Sequence, residues 1–528
     1  MGRASGRVLR ERANLSFCIV VIFFAIFSVI LLTEILLIDQ SSRSRRANRN
    51  GGVNSASHGE EYLVYQGGGD LDLDGIGGRG MLGGRQQRYS GLLPQAPAMA
   101  QFTINITARD GVWQTVAATR YKFFVFSAYY DWRGGNRVIR VMGATKTRGP
   151  DRVWCLLWYQ NNNSTYSITV PAKVIRENWN LKYSACFILC SLRLNLSVPG
   201  SVSIVSGGAS STTSNRLVVN HNYNTSRPKP PQPPIEKMAV CVKPLHFQYN
   251  QTVQMLEFIE LNSLLGMDHI IFYNDTVSPS TDCILRHYLK EGRVTVLPWR
   301  LDMVSQREIR TEGLFAALND CLYRSMYTYS HVALIDLDEI IMPKHNYTIQ
   351  QFIQWMGQRI NTRSTGSYSF QNAFFYLQWP DDVIIRHHMY ESSLMTLRKT
   401  RRRAKLHPHK QRSKYICRPE YVVEAGNHFV WEFVPGHGTL NVPPDAAILN
   451  HYRVCEFGGD DCVKSASVVD RTAHRYRRKL VQRVSAKWEA LRHQCSLPDI
   501  SETMDAERKA RLRQQMLLAE ATLPPNVR

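Results

Sequence analysis

Residues 235–495 of this 528-residue chain, which alternate strand and helix signals, lack the motifs of several common enzyme classes. They contain no Gly-x-Gly-x-x-Gly and no P-loop, so the nucleotide-binding folds that hold phosphates on glycine-rich turns lose support. They also contain no Gly-x-Ser-x-Gly nucleophile elbow. The whole chain has no pair of Cys-x-x-Cys knuckles, which leaves a structural zinc site weakly supported.

Acidic residues are in deficit. The 43 Asp and Glu residues are outnumbered by 65 Lys and Arg, and the formal net charge is +22. This charge, with a basic run from Arg398 to Lys414, invites comparison with nucleic-acid-binding proteins. The lumenal location inferred below argues against a nucleic-acid partner. We therefore expect the run to be either a solvated loop or a surface that steers an anionic substrate such as a nucleotide diphosphate.

A long apolar run occurs near the start of the chain. Residues 15–33 are uncharged and mostly apolar, and residues 35–38 extend the run past Glu34. This is about the length of a helix that crosses a bilayer. We predict an uncleaved signal-anchor at 15–38, because the apolar core is too long for a signal peptide and no convincing cleavage site follows it.

The charges that flank this span are nearly balanced and do not settle its orientation. Glycosylation triplets Asn-x-Ser/Thr occur after it, beginning at Asn105, Asn162, Asn163, Asn195, Asn224, Asn250, Asn274 and Asn346. Ten of the eleven cysteines also follow the span, an even set that suits disulfides in an oxidising compartment. We expect a cytosolic tail at 1–14 and a lumenal remainder, as in a single-pass type II protein of the Golgi membrane.

Two cysteine spacings suggest pairing between near neighbours. Cys186 and Cys190 are four positions apart, and Cys455 and Cys462 are seven apart. We expect each of these to form a local or nearby disulfide, whereas the full connectivity is not readable from spacing.

Composition divides the rest of the chain. Residues 39–100 are rich in Gly, Arg and Ser and predict a flexible stem. Short apolar and β-branched runs between turn residues predict a β-rich lumenal module at 101–226. A Pro-rich linker follows at 227–234, then an α/β domain with a mainly parallel sheet at 235–495 and a C-terminal helical tail at 496–528.

Periodicity locates the first elements of the α/β domain. It predicts strands at 238–242, 269–273 and 294–297. It predicts one helix that ends at Gly266, a second at about 281–290, and a third whose leucines recur from Leu314 to Leu322.

A buried strand at 331–335 ends in the most informative pattern of the chain, Asp336-x-Asp338, with Glu339 directly after it. Residues i and i+2 of an extended strand face the same side, so these two carboxylates can converge on one hard divalent cation. Ligands of α/β domains usually bind at the carboxyl ends of strands. A cation there can hold a diphosphate, which points to a sugar-nucleotide glycosyltransferase.

Several segments, in order, resemble the motifs of glycosyltransferase family 92. They are Asp336-Leu337-Asp338-Glu339 with Ile340-Ile341-Met342-Pro343, Lys414-Tyr415-Ile416-Cys417-Arg418-Pro419, Asn427-His428-Phe429-Val430 and Asn450-His451-Tyr452-Arg453. A tyrosine-rich segment in the first module, residues 127–133, is similar to one in that family. The resemblance implies a GT-A fold and transfer of galactose from UDP-galactose to a β1,4 linkage on a glycan of a glycoprotein or glycolipid.

The chemistry of such a transfer, together with the resemblance, suggests roles for individual residues. Asp336 and Asp338 would hold Mn²⁺ on the donor diphosphate, or Asp338 would be the direct ligand while Asp336 bonds ribose or sugar hydroxyls. His451 would be a nitrogen ligand, with a hydrogen-bonded core histidine as the alternative. Arg453 and Lys414 would contact diphosphate oxygens, and for each the alternative is a structural ion pair.

Inverting transfer also needs a base for the acceptor hydroxyl. Glu432 and Glu420 are the first candidates, and His428 is an alternative base or a donor to the sugar. Two other functions stay open: transfer from a different UDP-sugar, and a catalytically inactive lectin-like membrane glycoprotein. An intact Asp336-x-Asp338 with His451 and Arg453 favours an enzyme.

Overall fold

The structure is a computed structural model that describes residues 106–135, 137–159, 164–167, 172–193, 196–206, 213–221, 237–385, 389–455 and 461–500. These residues belong to one compact unit, residues 94–528. The predicted cytosolic tail, span, stem, Pro-rich linker and most of the C-terminal tail lie outside the described residues. None of the helices within the described residues has the length and apolarity that a bilayer crossing requires.

The first described part, up to residue 221, is β-rich, as the short apolar runs predict. Its strands are β1 (Gln114–Thr115), β2 (Phe124–Asp131), β3 (Val138–Lys146), β4 (Trp154–Trp158), β5 (Ser164–Ser167), β6 (Lys173–Val174), β7 (Tyr183–Ser191), β8 (Ser201–Val205) and β9 (Leu217–Asn220). They form one sheet in the order β5-β4-β8-β9-β2-β3-β7-β6, with β1 paired to β2. Among the described pairs, β2 and β9 are parallel and the other neighbours are antiparallel.

The second part, from residue 237, mixes strands and helices. Its strands are β10 (Met238–Cys241), β11 (His269–Asn274), β12 (Val294–Pro298), β13 (His331–Leu334), β14 (Glu339–Pro343), β15 (Thr365–Phe370), β16 (Asn372–Tyr376), β17 (Arg401–Arg403), β18 (Lys414–Cys417), β19 (Val422–Ala425), β20 (Val430–Phe433), β21 (Gly438–Asn441), β22 (Ala447–Arg453) and β23 (Ser467–Val469). Its helices are α1 (Thr252–Leu264), α2 (Pro279–Lys290), α3 (Leu314–Ser325), α4 (Ile349–Arg359), α5 (Met389–Ser393), α6 (Met395–Arg398), α7 (Asp461–Lys464) and α8 (Arg477–Leu491).

The elements predicted before Asp336 are confirmed, each to within a few residues. Gly266 shows why α1 ends where the sequence indicates. Its φ of +89° lies in the left-handed region, which glycine adopts without steric cost just after a helix.

The main sheet of this part is mixed, but six of its seven strands run in one direction, so the mainly parallel arrangement that the sequence predicts is confirmed. Its order is β12-β11-β10-β13-β18-β15-β21. The first four strands are parallel, but β18 is antiparallel to both of its neighbours, β13 and β15. Between β13 and β18 the chain passes through β14 to β17 and helices α4 to α6, so these two neighbours are not joined by the single crossover helix of a simple β-α-β unit.

The two faces of the sheet are buried in two apolar cores. Along β13, Val332 and Leu334 belong to one core, and Ala333 belongs to the other, because alternate side chains of a strand point to opposite faces. The first core combines α3 with side chains of the β-rich part, including Phe126 and Tyr129. The second core contains side chains of α1 and α8. The β-rich part therefore covers one face of the mixed sheet.

Four disulfides occur among the described residues. They join Cys155 to Cys190, Cys241 to Cys321, Cys283 to Cys495 and Cys455 to Cys462. The predicted pair of Cys455 and Cys462 is confirmed. The predicted pair of Cys186 and Cys190 is wrong. Both residues lie on β7, where Cys190 bonds Cys155 of β4 and Cys186 stays a buried free thiol like Cys417.

One buried carboxylate joins the β-rich part to the mixed sheet. Asp320 of α3 is fully buried and accepts hydrogen bonds from Tyr129 of β2 and Tyr273 of β11, both at 2.7 Å. Ser127 of β2 also donates to it, and the Arg324 guanidinium lies 3.0 Å away. A buried charge of this kind is tolerated only when its partners are complete.

Asp320→Ala should therefore lower the free energy of unfolding by roughly 3–5 kcal/mol, because Arg324 loses its buried partner and two tyrosine hydroxyls lose their acceptor. Urea denaturation followed by circular dichroism measures the loss. The matched control is Asp282→Ala, which removes an i,i+4 ion pair with Arg286 on the surface of α2 and should cost less than about 1 kcal/mol. Equal losses in both variants would contradict the role assigned to Asp320.

Candidate active site

The conspicuous acidic residues lie at one edge of the main sheet. Strands β10 and β13 are parallel neighbours and end together, and the Ile335 N–H donates to the Cys241 carbonyl at 3.2 Å just beyond them. Asp336 and Asp338 follow at once, and Glu339 begins β14. The carboxylates therefore occupy the carboxyl edge of the parallel strands, where α/β domains usually bind ligands.

Two lysines surround Asp336. The ammonium groups of Lys243 and Lys414 each lie 3.3 Å from its Oδ2. Lys414 also lies 3.5 Å from Oε2 of Glu339, and that oxygen accepts the Asp336 N–H at 2.9 Å. Lys414 is buried with 2% of its side chain exposed, whereas Lys243 is 35% exposed. Lys414 thus neutralises the interior of the cluster, and Lys243 faces outward.

Asp338 pairs with His451 rather than with a lysine. Nε2 of His451 lies 3.2 Å from Oδ2 of Asp338, and Nδ1 lies 3.3 Å from Oε1 of Glu339. The antiparallel register of β14 and β22 sets Glu339 directly opposite His451. The side-chain amide of Asn372 lies 3.0 Å from the same Nδ1. The imidazole is therefore held in one orientation from both neighbouring strands.

The ionic contacts determine the charge of the cluster. Burial alone raises the pKa of Asp338, but the charge of His451 and its hydrogen bond outweigh burial and hold the pKa below its ordinary range. Burial likewise opposes ionisation of Asp336, yet Lys243 and Lys414 lower its pKa. For Glu339, burial prevails and raises the pKa. Asp336 and Asp338 are therefore anionic at neutral pH.

A cavity of about 330 Å³ opens beside Asp338. The loop after β10 supplies Lys243, Phe247 and Tyr249 to its wall, and Arg453 at the end of β22 also lines it. The cavity thus has a carboxylate, two cations and aromatic rings around one space of ligand size.

More positive charge surrounds the ring of Phe374 on β16. The guanidinium carbon of Arg453 lies 5.0 Å from the ring centroid and that of Arg412 lies 5.5 Å from it, while the His451 ring centroid is 5.3 Å away. His407 stacks edge-on against the same ring, and burial together with Arg412 lowers its pKa to about 4. One residue of the basic run 398–414, Arg412, therefore lies close to His451, the histidine proposed as a metal ligand.

The three candidate bases have different surroundings. Glu432 on β20 pairs with Lys173 and Arg176 of the β-rich part, at 2.9 Å and 2.7 Å. Glu420 pairs with Arg418 at 2.9 Å. Neither carboxylate lines the cavity beside Asp338.

His428 adjoins the ionic cluster through its neighbour. Asn427 accepts a hydrogen bond from Lys414 at 2.7 Å, and its side-chain amide lies 3.2 Å from Nε2 of His428. The Nδ1 atom of His428 lies 3.1 Å from the Ser413 carbonyl. Burial, with Lys414 close by, lowers the pKa of His428 to about 4, so the ring is neutral at neutral pH.

Sequence reasoning did not assign a role to two groups of this site. Lys243 lies just after β10, the first parallel strand. The tendency of ligands to bind at the carboxyl ends of parallel strands was the sequence signal that could have identified it. Glu177 comes from the β-rich part, where no motif marks it, and it accepts the Asn427 N–H at 2.8 Å and the Trp431 indole N–H at 3.1 Å. Burial raises the pKa of Glu177.

Comparison with known proteins places this segment in a family context. Residues 236–496 match the family model of glycosyltransferase family 92, so the tyrosine-rich segment at 127–133 lies outside the matched region. A beta-1,4-galactosyltransferase of Caenorhabditis elegans, galt-1, is 26% identical over 229 residues, which are 42% of this chain and 51% of that protein. The galactan beta-1,4-galactosyltransferase GALS1 of Arabidopsis thaliana is 26% identical over 271 residues, which are 46% of this chain and 50% of that protein.

The chain spans about half the length of these curated relatives. Among solved structures, glucosyl-3-phosphoglycerate synthase of Mycobacterium tuberculosis, in complex with Mn²⁺, UDP-glucose and phosphoglyceric acid, is 14% identical, with 50% of this chain and 81% of that chain covered. Its TM-score is 0.22, too low for the likeness to support a statement about this site.

The two lysines of the cluster should differ in what they contribute. Lys414→Met should lower the free energy of unfolding by roughly 3–5 kcal/mol, because the buried Glu339 and the largely buried Asp336 then face each other without their inner cation. Lys243→Met should cost clearly less, since its side chain is 35% exposed and Asp336 keeps Lys414. Urea denaturation of both variants decides the matter. Equal losses would show that Lys414 has no special structural role.

Proposed function

Because residues 236–496 belong to glycosyltransferase family 92, we propose that the protein transfers a hexose from a UDP-sugar to a glycan acceptor with inversion, giving a β linkage. Galactose is the proposed sugar, since two relatives are named β1,4-galactosyltransferases. The observation that carries the proposal is the Asp338–His451 pair beside a cavity that Lys243 and Arg453 also line. A glycan on a glycoprotein or glycolipid is the proposed acceptor.

The cavity of about 330 Å³ suits the nucleotide end of the donor. Phe247 and Tyr249 offer ring faces for a base, and Lys243 and Arg453 offer positive charge for a diphosphate. Arg412, whose guanidinium carbon lies 5.5 Å from the centroid of the Phe374 ring, adds to that positive field. Charge of this sign stabilises the diphosphate as it leaves with the electrons of the broken glycosidic bond.

The residues present fit a divalent cation at Asp338. Its carboxylate is 33% exposed and adjoins the cavity, and the imidazole of His451 offers a nitrogen beside it. Glu339 contacts the other ring nitrogen, an arrangement that orients metal-binding histidines. A carboxylate with an imidazole suits Mn²⁺. Within the described residues, no three His, Cys, Asp or Glu side chains are arranged to hold a metal on their own, so donor phosphates and water would complete the coordination.

When bound there, Mn²⁺ would act as a Lewis acid on the diphosphate. Asp338 and His451 would hold it. Asp336 is engaged by two lysines, which favours the alternative in which it supports the site or bonds donor hydroxyls. Lys414 is similarly occupied by Asp336, Glu339 and Asn427, which favours a structural ion pair over direct contact with the diphosphate.

The acceptor hydroxyl must lose its proton as it attacks the anomeric carbon. Among Glu432, Glu420 and His428, only His428 adjoins the ionic cluster, and its neutral ring can accept a proton. To do so, one ring nitrogen must exchange its contact with Ser413 or Asn427 for the acceptor hydroxyl. Both glutamates are engaged in ion pairs elsewhere: Glu432 pairs with Lys173 of the β-rich part, and Glu420 pairs with Arg418.

Asp338→Ala should reduce transfer by about a hundredfold or more while the fold stays intact, because this partly exposed carboxylate adds little to packing but holds the cation. The assay measures UDP release from UDP-galactose with β1,4-galactotriose as acceptor. EDTA should abolish wild-type activity, and Mn²⁺ should restore it.

The control for this experiment is Asp302→Ala, which removes a carboxylate of 86% exposure that does not line the cavity beside Asp338. It should retain wild-type turnover. A second readout is thermal unfolding: Mn²⁺ with UDP should raise the midpoint of the wild type but not of Asp338→Ala, because only a ligand that binds the native state stabilises it. Full activity in excess EDTA would refute the cation at Asp338.

Arg453→Lys should raise the KM for UDP-galactose about tenfold and lower kcat, since one ammonium cannot reproduce the two-pronged contact of a guanidinium with phosphate oxygens. The matched control is Arg359→Lys, because Arg359 also stacks on an aromatic ring, Trp355, at 4.0 Å but does not line the cavity. Calorimetric titration with UDP separates binding from turnover. Unchanged UDP affinity in Arg453→Lys would remove Arg453 from the donor site.

A further inference from the structure

A second, larger cavity lies on the opposite side of β18 from the ionic cluster. Its volume is about 560 Å³. Successive residues of β18 point to opposite faces of the sheet, so Lys414 reaches Asp336 while Tyr415 lines this second cavity. Strand β18 therefore lies between the ionic cluster and the second cavity.

The lining of the second cavity has two kinds of side chain. Aromatic rings come from β20 and the residues before it, and short polar side chains come from β15 and β21. They include Phe429, Trp431, Phe433, Ser367, Thr439 and Asn441. Lys410 is the single charged side chain in the described lining.

This chemistry matches a neutral sugar. The C–H groups of a pyranose ring pack on the electron-rich face of an aromatic ring, and the hydroxyl groups need neutral donors and acceptors. Phe429 and Trp431 lie 4.6 Å apart between ring centroids and are both half-buried, so part of each ring is accessible. Asn441 is exposed at the end of β21. Ser367 and Thr439 already bond each other at 2.9 Å, which fixes a pair of hydroxyls in the wall.

The aromatic wall is held in place from the β-rich part. The indole N–H of Trp431 donates to Glu177, and the same carboxylate receives the Asn427 N–H. Gly426 makes this close approach possible, because a Cβ there would lie 2.6 Å from both the Glu177 carboxylate and the Trp431 ring. Asn427 in turn accepts from Lys414 of the ionic cluster. The segment 426–431 thus has one end at the cluster and the other in the second cavity.

We propose that the second cavity binds neutral sugar rings of the acceptor glycan, with Phe429 and Trp431 as the stacking surface and Asn441 as a hydroxyl partner. This inference rests on the proposed function and names its acceptor subsite. A nucleotide fits less well, because the part of the lining that the structure describes has no carboxylate to hold a cation and a single charge, Lys410, for a diphosphate. The cations and the Asp338–His451 pair lie at the first cavity instead.

Phe429→Ala tests the proposal directly. The change removes a ring from the cavity wall but no hydrogen bond, since only the Phe429 backbone carbonyl is bonded, to the Gly426 N–H. Saturation-transfer NMR with β1,4-galactotriose as the probe should show affinity about tenfold weaker than wild type, while calorimetry should show unchanged affinity for UDP. Asn441→Ala, at an exposed position that carries little folding risk, should weaken galactotriose binding in the same direction.

The matched control is Tyr347→Ala, which truncates an aromatic residue of 50% exposure that lines neither cavity. It should bind both probes as the wild type does. Wild-type galactotriose affinity in both Phe429→Ala and Asn441→Ala overturns the proposal. Loss of UDP affinity in these variants also overturns it, because the cavity would then belong to the nucleotide.

The wild-type protein separates this proposal from the function on which it rests. If the protein binds UDP but binds none of galactotriose, lactose, cellobiose and chitobiose, the acceptor subsite is overturned and the proposed transferase is not. Binding of a sugar that Phe429→Ala weakens, in protein that neither binds UDP nor uses UDP-galactose, overturns the proposed transferase and leaves a sugar-binding cavity.

Discussion

Three carboxylates crowd the end of β13, and the rest of the candidate site depends on how their charge is balanced. Asp336, Asp338 and Glu339 repel one another in a partly buried space, which would be untenable without Lys414 inside the cluster and Lys243 at its edge. With two cations committed to Asp336 and Glu339, Asp338 remains partly exposed and paired with a histidine. Charge balance therefore leaves one carboxylate free to face a ligand.

The β-rich part has a direct bearing on this site. It covers one face of the mixed sheet, and its Ser127 and Tyr129 bond the buried Asp320. Arg133, from the same tyrosine-rich segment, donates to the Val422 carbonyl at 2.7 Å and so holds the start of β19. The motif at 127–133 is thus explained by the contacts that join the β-rich part to the mixed sheet rather than by a role in substrate binding or catalysis. Glu177 extends this contact to the segment between the two cavities.

Local pattern predicted the first half of the sheet well. Strands β10 to β13 and the helices between them follow from apolar periodicity and from Gly266, because each is a local signal of buried strand, amphipathic helix or helix end. The antiparallel strand β18 was not predicted. Its four residues, Lys414 to Cys417, are too few and too mixed in polarity to indicate which strand they pair with or in which direction. The pairing of Cys186 with Cys190 was predicted from spacing alone and is wrong. Residues four apart on one extended strand are too far apart for a disulfide, and Cys190 instead bonds Cys155 of β4.

By itself the sequence determined several of the residues that could form the site. Short motifs, whose possible chemistry follows from residue type and spacing, contain Asp336, Asp338, Lys414, His428, His451 and Arg453. Only the tertiary structure decided how these groups share the work, because ion pairing depends on distances between strands that are far apart in the chain. It placed Lys414 between two carboxylates, set Glu339 against His451, and brought in Lys243 and Glu177, which no motif marks. It also showed a second cavity on the side of β18 opposite the ionic cluster, since the side chains of a strand can be assigned to the two faces of a sheet only once its neighbours are known.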